Sequence, residues 1–319
     1  MELRNIAIHD IDTGESLFDL YRRQAGKALT ESVRRKGVLD PLHGIAEGNR
    51  IQLLAGFRRM RAAVATMRET VPVIVCGEEM SGEEQCELSL HLAQEGGQLP
   101  VMAMARLARL AEAKLEDPLG WLCRQARYGQ FGMNRDRYDQ LRMILTAPEA
   151  FRAYFEEYDA PLNTVVSIMR IPEAYQETIL EWARGLRVRP VELAGIVSDL
   201  IDCARIGEMS IGELMRIVMP EKAEEIDRKK RGEYIERCKR TLSRLRNPEL
   251  HEIRAECGAA TDKLKELCGA EITYDPGFET AGITITFKVA NLEEITTVFS
   301  LIESEQAQES LEHLFSYVQ

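Results

Sequence analysis

The segment Leu54-Ala55-Gly56-Phe57-Arg58-Arg59-Met60-Arg61-Ala62-Ala63 decides how the first part of this chain folds. The residues just before the glycine alternate polar and apolar as in a strand, and those after it favour a helix, which predicts a sharp turn at Gly56. The first N–H groups of a helix lack intrahelical partners and attract anions. With three arginines beside them, they predict a phosphate site. A solvated basic helix start is the alternative interpretation of this segment alone.

Neighbouring segments place this turn in a longer order of elements. Residues 29–36 predict a helix that runs into Gly37-Val38-Leu39-Asp40-Pro41-Leu42, and residues 71–75 predict a short buried strand. This order resembles the N-terminal domain of the ParB-type chromosome and plasmid partition proteins, which carry a Gly-Val-Leu/Ile-Gln-Pro turn and a Gly-Glu-Arg-Arg-x-Arg-Ala corner. Phe57 replaces the glutamate of that corner, and Asp40 replaces the glutamine of the turn.

The resemblance implies a pocket that binds CTP with Mg²⁺ and closes the protein as a clamp on DNA. The residues that it places at the nucleotide are Gly37, Pro41, Gly56, Arg58, Arg59, Arg61 and Ala62.

Two motifs of that family are missing. Its Pro-Arg run is replaced by Asp12-Thr13-Gly14-Glu15-Ser16. Its Glu-Asn-x-x-Arg motif, which contacts phosphates and helps to hold magnesium, is replaced by His91-Leu92-Ala93-Gln94-Glu95. Since a carboxylate repels a triphosphate, we expect CTP hydrolysis to be weak at most, or absent.

Composition indicates a cytoplasmic, multidomain protein. A length of 319 residues with 45% hydrophobic residues suits two or three domains with their own cores. No apolar run reaches 18 residues, and the first 25 residues lack a secretory pattern, which argues against a membrane or secreted protein. The seven cysteines are scattered and predict reduced thiols, and neither they nor the five histidines have the spacing of a metal site. No metal ligand is therefore assigned.

Charge is distributed unevenly. The formal net charge is −11, yet residues 228–246 contain nine Lys or Arg and two Asp or Glu. Such a stretch suits contacts with DNA phosphates, although a solvated charged helix explains this segment equally well. The candidate contacts are Arg228, Lys229, Lys230 and Arg231.

A helix-turn-helix is predicted in the middle of the chain. It follows a predicted helix at 99–113 and consists of a first helix at 121–127, a turn at 128–132 and a recognition helix at 134–145. The side chains that could reach a DNA groove are Asn134, which is also the predicted N-cap, Arg135, Arg137, Tyr138, Gln140 and Arg142. A polar surface helix that buries Met133, Leu141 and Ile144 is the alternative.

Two Pro-Glu-Ala segments follow, at Pro148 and Pro172, and each is predicted to begin a helix. The ParB-type proteins have two such helix starts after the recognition helix, and then a Gly-Leu-Ser-Val-Arg-x-x-Glu segment. Gly185-Leu186-Arg187-Val188-Arg189-Pro190-Val191-Glu192 is similar to that segment.

The end of the chain predicts a small dimerisation module. A helix closes at 264–267, strands at 270–274 and 282–289 flank a turn at 275–277, and Asn291 caps a last helix. The second strand places Ile283, Ile285, Phe287 and Val289 on one face. Because a two-stranded hairpin with flanking helices cannot cover both of its faces, we expect a homodimer.

We therefore predict an α+β, mostly helical fold in four parts. These are a ParB-like N-terminal α/β nucleotide-binding domain at 1–98, an all-helical helix-turn-helix DNA-binding domain at 99–206, a linker and basic helix at 207–247, and a small α+β C-terminal dimerisation domain at 248–319.

The predicted function is that of a ParB-like DNA-binding protein in chromosome or plasmid partition or nucleoid organisation, acting as a dimeric clamp gated by CTP. Its expected partners are DNA, a second copy and a ParA-type ATPase, without a membrane. One alternative is a nucleotide hydrolase or a ParB-like nuclease. The other is a DNA-binding adaptor or regulator that has lost nucleotide binding.

Overall fold

A computed structural model describes residues 1–12, 14, 16–22, 24–77, 80–94, 98–128, 132–207, 209–220 and 222–318, with the side chains of 126–128 and 224 left aside. The chain divides into two compact units, Met1–Ser198 and Asp199–Gln319, which are described one after the other.

A five-stranded mixed sheet begins the first unit. Its strands are β1 (Glu2–Ala7), β2 (Ile11–Asp12), β3 (Leu42–Glu47), β4 (Arg50–Ala55) and β5 (Thr70–Cys76), in the order β1-β5-β3-β4-β2. β5 pairs antiparallel with β1 and parallel with β3, while β4 pairs antiparallel with β3 and parallel with β2. The strand predicted just before Gly56 and the strand predicted at 71–75 thus lie inside this sheet, as β4 and β5.

Two helices pack on this sheet and on each other. They are α1 (Lys27–Lys36) and α2 (Phe57–Ala65), the helices predicted on either side of the Gly56 turn. Apolar side chains from both helices and from the strands form one core, which includes Val33, Leu42 and Met60. This core holds the N-terminal end of α2 beside the end of β4.

The rest of the first unit is helical. Its helices are α3 (Gly82–Gln94), α4 (Val101–Lys114), α5 (Pro118–Tyr128), α6 (Arg135–Thr146), α7 (Glu149–Glu157), α8 (Leu162–Met169), α9 (Glu173–Leu186) and α10 (Pro190–Ile206), and α10 continues into the second unit. α4 is the central helix, with eight buried residues, and it packs against α3, α5, α6 and α7.

The predicted boundaries in this region need small corrections. α5 begins at Pro118 and not at Trp121, since proline suits the first turn of a helix. Pro148 and Pro172 lie one residue before their helices, as N-caps. Most of the predicted turn at 128–132 lies outside the described residues.

The second unit combines helices with a two-stranded antiparallel sheet. Its elements are α11 (Ile211–Val218), a 3-10 turn (Ala223–Glu225), α12 (Arg231–Arg246), α13 (Pro248–Cys268), β6 (Glu271–Tyr274), β7 (Ile283–Thr286), α14 (Leu292–Ile302) and α15 (Glu305–Tyr317). The tail core is formed by α13, β6 and α15 and includes Cys257, Leu264 and Leu314.

Three predictions for this unit differ from the structure. The basic helix begins at Arg231 because Asp227 holds residues 228–230 in a turn, accepting the backbone N–H of Lys229 at 2.9 Å. β7 ends at Thr286, so Phe287 and Val289 follow the strand. The helix predicted to be last is α14, and a further helix, α15, follows it. The predicted cap of α14 is confirmed, since the side chain of Asn291 accepts the backbone N–H of Glu294.

The mixed, mostly helical α+β class is confirmed. The four-part division with boundaries at 98/99, 206/207 and 247/248 stays a prediction. Within the described part of the chain, we find no helix with the length and apolar character needed to cross a membrane.

Replacement of Gly56 by alanine is expected to lower the free energy of unfolding by about 1 to 3 kcal/mol. Gly56 has φ +96°, and an added Cβ would lie 2.7 Å from Cδ2 of Leu42. The matched control is Gly195→Ala in α10, where an added Cβ meets open space and alanine favours the helix by roughly 0.5 to 1 kcal/mol. Urea denaturation measures the free energy of unfolding of both variants. If both substitutions changed it equally and in the same direction, the turn at Gly56 would not be strained.

Candidate nucleotide and nucleic-acid sites

The turn at Gly56 exposes the N-terminal end of α2. Gly56 is left-handed and joins β4 directly to α2. The first backbone bond of the helix runs from the N–H of Met60 to the carbonyl of Gly56, at 3.0 Å. The N–H groups of residues 57–59 precede this bond, and the exposed Arg58 extends from the same turn. This arrangement suits a phosphate group, as the sequence predicted.

Arg59 supports the neighbouring loop. Its Nη1 donates to the carbonyl oxygens of Asp40 and Pro41, at 2.8 and 3.0 Å. Two carbonyls of the turn before β3 are therefore held against α2 by one guanidinium group. The structure brings Pro41 and the arginine corner together, through a bond that sequence patterns do not reveal.

Arg61 is paired with an acid that the sequence analysis did not select. Its Nη2 donates to Oδ2 of Asp19, a carboxylate that is only 7% exposed. Burial lowers the pKa of Arg61, the positive charge of Arg106 acts in the same direction, and Glu156 opposes both. The two partners lie 42 positions apart and share no motif, so no local signal could have identified Asp19.

Two other predicted nucleotide contacts have structural roles. Gly37 ends α1 at φ +76°, and its N–H donates to the carbonyl of Val33. Ala62 is fully buried in the core beneath α2. Its methyl group faces the core, and the contact of Ala62 with a nucleotide stays a prediction.

The residues in place of the Glu-Asn-x-x-Arg motif lie at the end of α3. His91 is exposed there, and the carbonyl of Ala93 accepts the hydroxyl of Tyr21 at 2.9 Å. Glu95, like Thr13 and Glu15 of the other altered motif, lies outside the described residues.

The predicted recognition helix is α6. Its N-cap is Asn134, whose Oδ1 accepts the backbone N–H of Arg137 at 2.8 Å, so this side chain serves the helix end. Leu141 and Ile144 face the interior, and α6 packs against α4 and α8. Arg135 is exposed, whereas Arg137 and Gln140 are half-buried.

Tyr138 is not available to DNA, which corrects its prediction as a groove contact. It is 4% exposed, and its hydroxyl donates to Oε1 of Glu112 at 2.8 Å. Burial, and then the bond with Glu112, raises the pKa of Tyr138 to about 12. Arg142 pairs with the same carboxylate at 2.5 Å and lies over the Tyr138 ring at 5.9 Å. The guanidinium group of Arg142 is thus exposed but already paired with Glu112.

The basic segment presents its charge on both sides of the start of α12. Arg228, Lys229 and Lys230 are exposed in the turn before the helix, and Arg231 is half-buried at its first position. The helix buries Tyr234, Ile235, Cys238 and Leu242 on its other side. This amphipathic pattern leaves the cations at its beginning accessible to an anionic partner.

The tail contains one helix whose apolar side chains remain exposed. α14 has no buried residue, and Leu292 and Phe299 are 78% and 62% exposed. Ile295 lies on the same face and is 36% exposed, whereas Ile302, at the end of this stripe, packs against the tail core.

Most of the cysteines lie inside the protein. The described cysteines carry thiols without disulfide bonds, and all but Cys123 are buried. Among the residues that the structure describes, no cluster of three or more His, Cys, Asp or Glu is placed to hold a metal ion.

Comparison with known proteins gives an independent view of the same regions. Residues 1–91 match the ParB N-terminal domain family. The probable plasmid-partitioning protein ParB of Thermus thermophilus is 27% identical over 198 residues, which cover 59% of this chain and 65% of that protein. The probable chromosome 1-partitioning protein ParB of Deinococcus radiodurans is 26% identical over 166 residues, which cover 51% of this chain and 55% of that protein. This chain thus spans less than two thirds of either relative.

Two solved structures of the C-terminally truncated chromosome-partitioning protein ParB from Caulobacter crescentus were also matched. One is complexed with CTP-gamma-S, is 21% identical and has a TM-score of 0.23 over 62% of this chain and 99% of that one. The other is complexed to the centromeric parS site, is 18% identical and has a TM-score of 0.18 over 61% and 97%.

Proposed function

We propose, from the premise that this chain belongs to the ParB family through its N-terminal domain, that it is a dimeric DNA-binding protein whose closure on DNA is gated by CTP. Its role is chromosome or plasmid partition or nucleoid organisation, in the cytoplasm and on the nucleoid. One observation carries the proposal: the family match covers residues 1–91, and these residues form an arginine corner at an exposed helix N-terminus.

The nucleotide step uses the corner directly. The N–H groups of residues 57–59 and the guanidinium of Arg58 bind phosphate oxygens by charge-assisted hydrogen bonds. Arg59 keeps the Asp40-Pro41 turn beside them, and a phosphate near Arg61 competes with the carboxylate of Asp19.

CTP with Mg²⁺ is the ligand that the resemblance implies, and we assign no residue to the metal. His91 and Leu92 stand where the family has an acid and an amide, so the proposed protein binds nucleotide with weak hydrolysis or none. The protein therefore binds DNA under the control of the bound nucleotide, and it does not cycle through nucleotide hydrolysis as an enzyme would.

The DNA step divides between two elements. Arg135 is placed to read base edges, because it is exposed in the first turn of α6, whereas Arg137 and Gln140 are half-buried on the same helix. The exposed cations at 228–230 contact phosphates without reading sequence. A protein with net charge −11 thus concentrates its attraction for DNA in two places.

Dimerisation follows from the exposed stripe of α14. An apolar surface of this kind gains free energy when a second copy covers it, at roughly 25 cal/mol for each Å² removed from water. Two DNA-binding units would then engage paired half-sites. A ParA-type ATPase is the further partner that the resemblance implies.

Arg58→Ala is expected to lower CTP affinity about 10- to 100-fold, the equivalent of a lost hydrogen bond between charged groups. Arg35→Ala is the control, since this exposed arginine lies near the end of α1 and pairs there with Glu31. Isothermal calorimetry with CTP, ATP, GTP and UTP measures the effect, and urea denaturation should give unfolding free energies within about 0.5 kcal/mol of the parent. If the parent protein binds none of these nucleotides, gating by CTP is refuted.

Arg135→Ala is expected to reduce discrimination between the selected site and random duplex by about 1 to 3 kcal/mol. Neutralising residues 228–230 should weaken binding to every sequence and flatten the salt dependence, by roughly 0.9 in log–log slope for each DNA phosphate that the protein no longer neutralises. Fluorescence anisotropy at several salt concentrations, on a site selected from a random library, separates these effects. If both variants changed specificity identically, the division between base reading by α6 and phosphate contacts by residues 228–230 would be contradicted.

Phe299→Asp is expected to give monomers in analytical ultracentrifugation. Its ring is exposed in the single chain, so the charge should disturb association more than folding. Thr297→Asp is the control, because this exposed residue lies on the other side of α14 from the apolar stripe. A Phe299→Asp protein that stays dimeric would remove this face from the interface.

A further inference from the structure

One edge of the five-stranded sheet is formed by an exposed strand. β1 is the last strand in the sheet order and pairs with β5, and it has no second neighbouring strand in the part of the chain that the structure describes. Residues 1–5 are all exposed, and Leu3 is 62% exposed. An edge of this kind presents a row of backbone N–H and C=O groups with which another strand can pair. The opposite edge is formed by β2, which is only two residues long.

Charged side chains on an edge strand usually protect it from association. In β1 these side chains are Glu2 and Arg4, which are two residues apart and therefore lie on the same face of the strand. Arg4 donates from Nε and Nη2 to Oε2 of Glu2, at 2.9 and 2.5 Å. An acid and a base at this spacing oppose some pairings of the strand and favour others. They therefore influence the register in which a second strand can bind.

A second copy of β1 can pair antiparallel with this edge only in certain registers. In an antiparallel pair, every second residue directs its N–H and C=O groups toward the neighbouring strand, and residues that bond in this way lie opposite one another. Two identical strands related by a two-fold axis therefore pair with the axis at a residue and not between two residues. Each allowed register is thus defined by the residue at its centre.

The charges of β1 favour one centre over its neighbours. With Leu3 at the centre, Glu2 lies opposite the partner's Arg4, and the exposed Leu3 side chains of the two copies meet at the axis. With Glu2 at the centre two carboxylates face each other, and with Arg4 at the centre two guanidinium groups do. A centre at Asn5 places Arg4 opposite Ile6 and pairs neither charge. Opposite charges across two strands stabilise their pairing, and like charges destabilise it.

We propose that β1 is an interaction surface for a second copy of this chain, and that the two strands pair antiparallel with Leu3 at the two-fold axis. Residues 1–5 of each copy form the contact, and the four charged side chains alternate in sign across it. Stable interfaces bury roughly 1,200 to 2,000 Å², which is more than two short strands provide. The contact is therefore weak by itself and gains strength when another contact holds copies close together. It is separate from the apolar stripe of α14.

Cross-linking of the full chain through an introduced cysteine tests the contact and its register, with oxidised glutathione as the oxidant. Leu3→Cys places two thiols opposite each other, with Cα atoms about 4.5 to 5.5 Å apart, within the range of a disulfide bond. Asn5→Cys is the matched control, because it lies on the same face but is separated from its copy by four residues, roughly 13 Å. The described native cysteines are buried except for Cys123, and the parent protein measures their background.

Charge reversal gives a second readout of the same register. In the Leu3→Cys protein, Glu2→Arg or Arg4→Glu alone places like charges opposite each other at both symmetric positions, and should slow cross-linking about 5- to 30-fold. The two reversals together restore opposite charges and should restore the rate. A mixture of the two single reversals should cross-link one variant to the other, which mass spectrometry detects. Lys27→Glu, an exposed reversal at the start of α1, should leave the rate unchanged.

Fast cross-linking by Leu3→Cys, slow cross-linking by Asn5→Cys and rescue by the double reversal support the pairing. Equal rates for the two cysteine variants, or single reversals without effect, overturn it. Residues 2–5 are exposed, so these variants should fold, which urea denaturation checks. If a charge variant unfolds, the comparison of the two cysteine variants still decides. Sedimentation of Phe299→Asp decides the α14 face separately, so the two interfaces can fail independently.

Discussion

The left-handed backbone at Gly56 is the constraint on which the N-terminal site depends. It allows the chain to pass from β4 into α2 against Leu42, with no room for a side chain. This turn fixes the start of α2 beside the Asp40-Pro41 loop, and Arg59 then joins the two by bonds to loop carbonyls. Sheet, helix and loop therefore pack together around the start of α2.

Three arginines within four positions acquire three different roles from this geometry. Successive helical residues point about 100° apart, so Arg58 faces solvent while Arg59 reaches the loop and Arg61 turns to a buried acid. Of the three arginines, Arg58 is the most accessible to a ligand. On α6, Arg135 is exposed, whereas Tyr138 is buried and donates to Glu112.

Elements with strong local signals were predictable. The Gly56 corner follows from a residue without a Cβ, and the starts of α6 and α14 follow from the side chains of Asn134 and Asn291, which cap the nearby backbone. Boundaries were less predictable where a neighbour intervened. Asp227 delays the start of α12, and the alternation of residues 282–289 continues beyond Thr286, where the pairing with β6 ends.

The sequence by itself determined the class of fold, the order of its main elements and the types of residue at the candidate sites, because periodicity, caps and glycine turns are local properties. Tertiary structure decided which of those residues are accessible. It buried Ala62 and Tyr138, and it paired Arg61 with Asp19. These contacts join residues far apart in the chain, and their geometry depends on how whole helices pack, which no local pattern records.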